Sequence, residues 1–320
     1  MKKRRFTIFA MLILVVTTLT FTLAGCKKFS LENSFTEEFG KREYYGLDVD
    51  KLDKITDSDS VLSAYGKLVK NFAKYDNVAY RMLTTGTAKS KYLDMDQKVY
   101  TTYIKNKNTL LNTDKIYYED SAIGKSKVGI SAGNSIVKMM YDPNAKNPYL
   151  VKYSEKEIGE DNNGYPTSAD SNFVYETYEN KDSFMEKYFL DLEAVSIYKI
   201  DNATIDVEKS KVSEDKNGFI EIKLVFKNET LQEATAQRRG IIALKTRYGT
   251  TFPTTANDVT FDGLSVTFKL WKSGYIRQMD VTENYKISVM GGQECSFTST
   301  AYFSHDPEEL PMSQFEFRKP

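Results

Sequence analysis

Between residues 61 and 72 the apolar positions Val61, Leu62, Tyr65, Leu68, Val69 and Phe72 fall at steps of one, three, three, one and three. Those steps follow a 3.6-residue turn, so they predict an amphipathic helix with a single apolar stripe, and Asp59 or Ser60 can serve as its N-cap. Beyond it the period drops to two. Val78-Tyr80-Met82, Val99-Thr101-Tyr103 and Ile116-Tyr118 read as strands. Ser135 to Tyr141 and Tyr149-Val151-Tyr153 continue the series across turns rich in Gly, Asn and Lys. Residues 159–172 form a polar break.

A second helix is expected next, because Ser183-x-x-Glu186 has the form of a capping box and Met185, Phe189 and Leu192 sit at helical spacing. Strands then return. Ile220-Ile222-Leu224-Phe226 alternates with Glu221 and Lys223 directly behind an Asn217-Gly218 turn. A third helix is expected from about Glu229 to Tyr248. Leu264-Val266-Phe268-Leu270 turns at Lys272-Ser273-Gly274 into a long strand with Met279, Val281, Tyr285, Ile287 and Val289 on one face. The strand around Phe297 closes the set.

Strands outnumber helices and are joined by short turns, which favours antiparallel pairing over parallel strands with long crossovers. The expected class is α+β, an antiparallel sheet packed on a few helices. The order helix, strands, helix, strands also suggests two related halves, 58–158 and 173–320.

The N-terminus has a different pattern. Lys2, Lys3, Arg4 and Arg5 precede an uncharged run from Phe6 to about Leu23 that ends in Leu23-Ala24-Gly25-Cys26, with Lys27 and Lys28 behind it. A basic segment, an apolar segment and small residues before a cleavage point are the layout of an export signal. The Cys26 stretch resembles the lipobox of bacterial lipoprotein signal peptides. That resemblance implies diacylglyceryl thioether formation on Cys26, cleavage after Gly25 and further acylation, typically palmitate-like, of the new amino group. Two acyl chains give stable anchoring where one holds marginally. The competing reading is an uncleaved transmembrane anchor, since about 18 to 20 apolar residues can cross a bilayer. Either way the rest of the chain lies on the extracytoplasmic face of the cell membrane. The expected organisation is therefore a signal peptide over 1–25, a lipidated N-terminus and flexible tether over 26–57, and a folded domain over 58–320.

Composition narrows the classes. Charged residues make up 28% and hydrophobic residues 41%, enough apolar material to bury a core. Lys plus Arg balance Asp plus Glu at 44 each, but residues 1–25 hold four of the bases and no acid, so the remainder carries about −4. A mildly acidic chain with scattered bases is a poor nucleic-acid partner. With Cys26 lipidated, Cys295 has no disulfide partner. It shares a strand face with Phe297, Ala301 and Phe303, so it reads as a small buried hydrophobe.

Motifs that point to chemistry are weak. Asp48, Asp50, Asp53, Asp57 and Asp59 do not make an EF-hand loop, because the fifth and sixth places hold Leu52 and Asp53 where an oxygen ligand and Gly are required. Gly129-Ile130-Ser131-Ala132-Gly133 matches the G-x-S-x-G nucleophile elbow, and the sole histidine, His305, is the only base of its type available to it. No alternating strand–helix pattern surrounds Ser131. Ser135-Ile136-Val137-Lys138 and Lys272-Ser273-Gly274 approximate the S-x-x-K and K-T-G elements of penicillin-binding enzymes, without the third element. One His and one spare Cys do not furnish a typical zinc site, and no Gly-rich phosphate loop is present. Neither a catalytic set nor a metal or cofactor is expected.

One helix (Val61 to Phe72), the strand Leu264 to Leu270, the Gly274 turn and the strand through Glu283-Asn284-Tyr285, behind a lipobox, together resemble the LolA/LppX-like lipoproteins, in particular those of Gram-positive bacteria. The resemblance spans most of Val61 to Pro311 and implies a curved, half-barrel-like sheet around helices, with an apolar cavity for acyl chains. The function it implies is a membrane-anchored protein that binds or carries a lipid or other apolar ligand. The alternative is an envelope lipoprotein that works through protein or cell-wall contacts with no ligand pocket. The substrate-binding subunit of an ABC importer shares the anchor, but it calls for two α/β lobes that the pattern lacks.

Overall fold

The structure is a computed structural model that describes residues 49–306, apart from 92–93, 109–112, 128–132, 163, 251–252 and 290. The expected signal peptide, Cys26 and most of the expected tether lie outside the described residues.

Helix α1 (Val61–Lys74) starts at Ser60, whose hydroxyl oxygen accepts from the Ser63 amide. Its buried stripe is Val61, Ala64, Leu68, Asn71 and Phe72. Val69, expected on that stripe, is 40% exposed, because one residue beyond Leu68 is about 100° round the helix. Asn71 explains a second departure. Its amide donates to the Asp53 carbonyl at 2.9 Å and its oxygen accepts from the Asp53 N–H at 2.7 Å. Ile55 is buried beside it. The expected tether to residue 57 therefore ends earlier, since the stretch around Asp53 and Ile55 is part of the folded unit.

The strands are β1 (Asn77–Lys89), β2 (Asp94–Asn108), β3 (Thr113–Ser126), β4 (Ser135–Tyr141) and β5 (Tyr149–Ser154). A small separate hairpin follows, β6 (Gly159–Glu160) with β7 (Pro166–Thr167), inside the expected polar break. Then come β8 (Val174–Tyr178), α2 (Lys181–Tyr188), β9 (Lys211–Glu214), β10 (Ile220–Val225), α3 (Leu231–Ala234), α4 (Ala236–Thr250), β11 (Val259–Leu270), β12 (Ile276–Ile287) and β13 (Gln293–Ser304). Eleven of the strands form one antiparallel sheet in the order β8-β5-β4-β3-β2-β1-β13-β12-β11-β10-β9. Edge strands β8 and β9 do not pair with each other, so the sheet is open.

Two meanders are joined by β1 and β13, which pair without a break from Ala79↔Ser304 to Lys89↔Glu294. The expected division into halves at 58–158 and 173–320 does not match this topology. Strand β8 belongs by sequence to the second half but pairs with β5 at the far edge of the first meander.

Alternation assigns each strand one face toward the helices. In β13 it runs Cys295, Phe297, Ser299, Ala301 and Phe303, all buried. Helix α2 differs from its expected form. Asn180 is the N-cap, accepting from the Ser183 N–H at 2.9 Å, so Ser183 lies inside the helix. The helix stops at Tyr188 because Phe189 turns left-handed, with φ of 57°. Its buried anchors are accordingly Phe184 and Tyr188, four residues apart, in place of Met185, Phe189 and Leu192. The third expected helix forms in two pieces. Thr235 sits at the break, with its hydroxyl donating to the Leu231 carbonyl at 2.7 Å, a bond that bends helices.

Candidate functional site

Helix α4 carries Arg238, Ile241, Ile242 and Lys245 at steps of three, one and three, which sets two cations on the same face as two buried isoleucines. A cation on a buried face needs a partner, and the sheet supplies one for each. On β12 the inward face reads Met279, Val281, Glu283, Tyr285 and Ile287, and Glu283 is 1% exposed. Arg238 meets it in a two-pronged pair: Nε donates to Oε1 and Nη2 to Oε2, both at 2.7 Å. The Tyr198 hydroxyl donates to the same Oε1 at 2.7 Å. Burial, reinforced by the Glu283 charge, pushes the Tyr198 phenol well above its ordinary value, so it acts as a neutral donor.

The second pair is alike. Asp120 on β3 lies between Tyr118 and Ala122 along the inward face and is buried. Lys245 pairs with its Oδ2, and the Thr101 hydroxyl donates to Oδ1 at 2.7 Å. Burial by itself would raise this carboxyl, but the Lys245 ammonium and the hydrogen bonds from Lys245 and Thr101 bring it below the ordinary carboxylate range. Between the pairs, the hydroxyls of Thr84 (β1) and Ser299 (β13) share a hydrogen bond of 2.8 Å. Together these side chains form a polar band across the sheet beneath α4.

Side chains leave a cavity on either side of the band. A cavity of about 100 Å³ is bounded by Tyr80, Met82, Leu192, Ile197, Ile241 and Val281. A second, of about 160 Å³, is bounded by Ala88, Met95, Ala122, Ile242, Cys295 and Phe297. Thr84, Val99, Arg238 and Lys245 line both, so the band is the partition between two mainly apolar chambers.

Glu283 shares the face that alternation assigns to Met279, Val281, Tyr285 and Ile287. The available signal was an acid at an even step within an apolar alternation, matched by two bases seven apart on a helix.

Cys295 lines the larger chamber and is buried, as expected of a small hydrophobe. Burial pushes its thiol up to about 12, which leaves on the order of 10⁻⁴ of it as thiolate near pH 8. It should therefore resist alkylation in the native protein and react fully in guanidinium. Labelling within minutes in the native state would contradict this burial.

Residues 128–132, with Ser131, lie outside the described residues. Gly133, the last residue of that motif, accepts from Gln97 Nε2 through its carbonyl. Ser135 and Lys138 stand three apart on a strand and so face opposite ways, and Lys138 pairs with Glu119 at 3.4 Å. Lys272-Ser273-Gly274 forms the β11–β12 turn, where Gly274 has φ of +91°. Two acids of the expected solvated stretch pair with lysines: Asp53 with Lys74 at 3.1 Å and Asp59 with Lys67 at 2.6 Å. Among the described residues no cluster of three or more His, Cys, Asp or Glu could hold a metal ion.

His305 itself is a core residue. Its Nε2 lies 2.9 Å from the Ile276 carbonyl oxygen and so carries the ring proton. Tyr75 and Tyr275 meet the imidazole edge-on at 4.8 Å. Burial lowers its pKa from 6.5 to about 4. Because the unfolded chain takes up this proton first, the group costs stability as pH falls from about 6.5 to about 4. The single histidine NMR signal should hold its neutral shift down to about pH 5, and His305→Gln should remove that part of the stability slope. A midpoint near 6.5 in the native protein would contradict the burial.

No family model matches the chain, and no curated protein matches its sequence. Solved structures resemble it distantly. A DUF1329 family protein from Desulfovibrio piger aligns at 7% identity and a TM-score of 0.26, over 81% of this chain and 98% of that one. Lipovitellin aligns at 8% identity and a TM-score of 0.28, over 72% of this chain and 25% of that one. A porin-like protein from Bacteroides uniformis aligns at 9% identity and a TM-score of 0.19, over 72% of this chain and 96% of that one. Likenesses this faint assign the chain to no family.

Proposed function

We propose that this chain is an extracytoplasmic lipoprotein, held to the membrane through Cys26, whose sheet curves around α4 as a half-barrel and takes an apolar ligand between them. The observation that carries the reading is the pair of mainly apolar chambers under α4. Residues of five neighbouring strands, Tyr118, Thr101, Tyr80, Ser299 and Glu283, bound the smaller chamber. Five flat strands measure about 19 Å across, so lining one small cavity favours a sheet that wraps. Protein interiors are close-packed and seldom keep such space without a use for it. An apolar cavity of about 150 Å³ elsewhere is known to admit benzene, so the larger chamber has room for roughly six carbons. A longer acyl chain needs α4 to lift, and the two ion pairs set the cost of lifting.

Organic extraction of the protein from its own membranes, followed by mass spectrometry, tests this. Thioether- and amide-linked chains stay on the polypeptide, so released lipid reports the interior plus loosely held membrane lipid. Thr84→Phe, which adds a ring where the chambers meet, gives the second component alone. Near one extra lipid per chain in the native protein supports the carrier reading. Equal amounts from both proteins defeat it and favour an envelope protein that works through surface contacts. Intact mass separately tests the anchor: loss of residues 1–25 with acyl adducts on Cys26 is expected.

A further inference from the structure

The polar band is balanced in charge but not in hydrogen bonding. Its cations Arg238 and Lys245 face the carboxylates of Glu283 and Asp120, which brings the band to net zero. The acceptors are engaged: Glu283 Oε1 takes two donors and Oε2 one, while Asp120 takes Thr101 on one oxygen and Lys245 on the other. The cations keep donors in reserve. A guanidinium offers five N–H bonds and an ammonium three. Arg238 uses Nε and Nη2 on Glu283, which leaves Nη1, and Lys245 uses one hydrogen on Asp120. Both side chains border both chambers.

A ligand oxygen arriving here meets cations whose remaining N–H bonds can donate to it. A second carboxylate would add an unbalanced buried negative charge, which is costly. A hydrocarbon would leave the donors unused. From this we infer that the ligand is an uncharged acyl ester or amide, whose carbonyl oxygen accepts from Lys245 while its chain occupies the larger chamber. The inference rests on the apolar-ligand reading and specifies the head group for it.

Three probes sized to the larger chamber separate the possibilities: methyl hexanoate, hexanoate at pH 7.5 and heptane. The full chain, labelled at methionine methyl carbons, reports occupancy through Met95 in the larger chamber and Met82 and Met279 in the smaller. Methyl hexanoate should bind at least about tenfold more tightly than either other probe. In the variant Lys245→Met with Asp120→Leu, which removes both charges of one pair together, the ratio of ester to heptane affinity should fall toward one. Hexanoate binding as well as the ester, or heptane matching the ester in the native protein, overturns the inference and leaves the apolar reading standing. If no probe shifts any of these methionines, both fall. Should the double variant not fold, the three-probe comparison on the native protein decides alone.

Discussion

Replacing Glu283 with Ala should destabilise the protein by about 3–5 kcal/mol, the usual result of leaving one partner of a buried ion pair without the other. Arg238 would lose both of its hydrogen bonds, and the Tyr198 hydroxyl would lose its acceptor. Replacing the pair together, Glu283→Leu with Arg238→Met, removes the charges and keeps the volume. That double variant should recover most of the stability, as buried pairs elsewhere do when exchanged for apolar residues. Chemical denaturation followed through Trp271, the sole tryptophan, measures both. A single variant within about 1 kcal/mol of the native protein would mean that the pair is solvated and α4 is not pinned there.

Gly86→Val should be nearly as damaging, at about 3 kcal/mol. Gly86 lies in the middle of β1, paired with Phe297 of β13. A Cβ there would lie 2.3 Å from the Phe297 ring and 2.3 Å from the Ser296 carbonyl oxygen. The ring covers the glycine, so Gly86 is what allows an aromatic to lie flat beside the larger chamber. Trimming the ring with Phe297→Ala should not rescue Gly86→Val, because the carbonyl clash remains. Gly240 provides the contrast: the three atoms nearest its Cβ would all belong to the Phe189 ring, the first at 2.3 Å. There, Phe189→Ala should rescue Gly240→Ala. Urea midpoints of the four single and two double variants check the pattern, and rescue at both glycines would contradict the account of Gly86.

The alternation of β10 and β11 was plain in the sequence because Ile220-Ile222-Leu224 and Leu264-Val266-Phe268-Leu270 are apolar at every second residue, the period of a strand. Helix α1 was equally plain from its steps of three and four. The joining of the two meanders through β1 and β13 was not. Ala79 and Ser304 pair across more than two hundred residues, and alternation says which face a residue takes but nothing about which strand lies beside it. Helix α2 was misjudged because Asn180 and Ser183 are both competent caps, and only the backbone shows which oxygen receives the N–H. The polar band was hidden for a related reason. Glu283, Asp120, Arg238 and Lys245 look like surface charges one at a time, and they make sense only once β3 and β12 lie under the same helix.

Crystals of the native protein held under xenon pressure test the central claim most directly, since xenon enters dry apolar cavities and leaves wet polar ones empty. Xenon should appear beneath α4 beside Ala122, Val99 and Phe297, with the Arg238 and Lys245 side chains dividing it from the smaller chamber. Ordered water filling that space, with no xenon in it, would show that the interior is a hydrated polar core and that no apolar ligand belongs there.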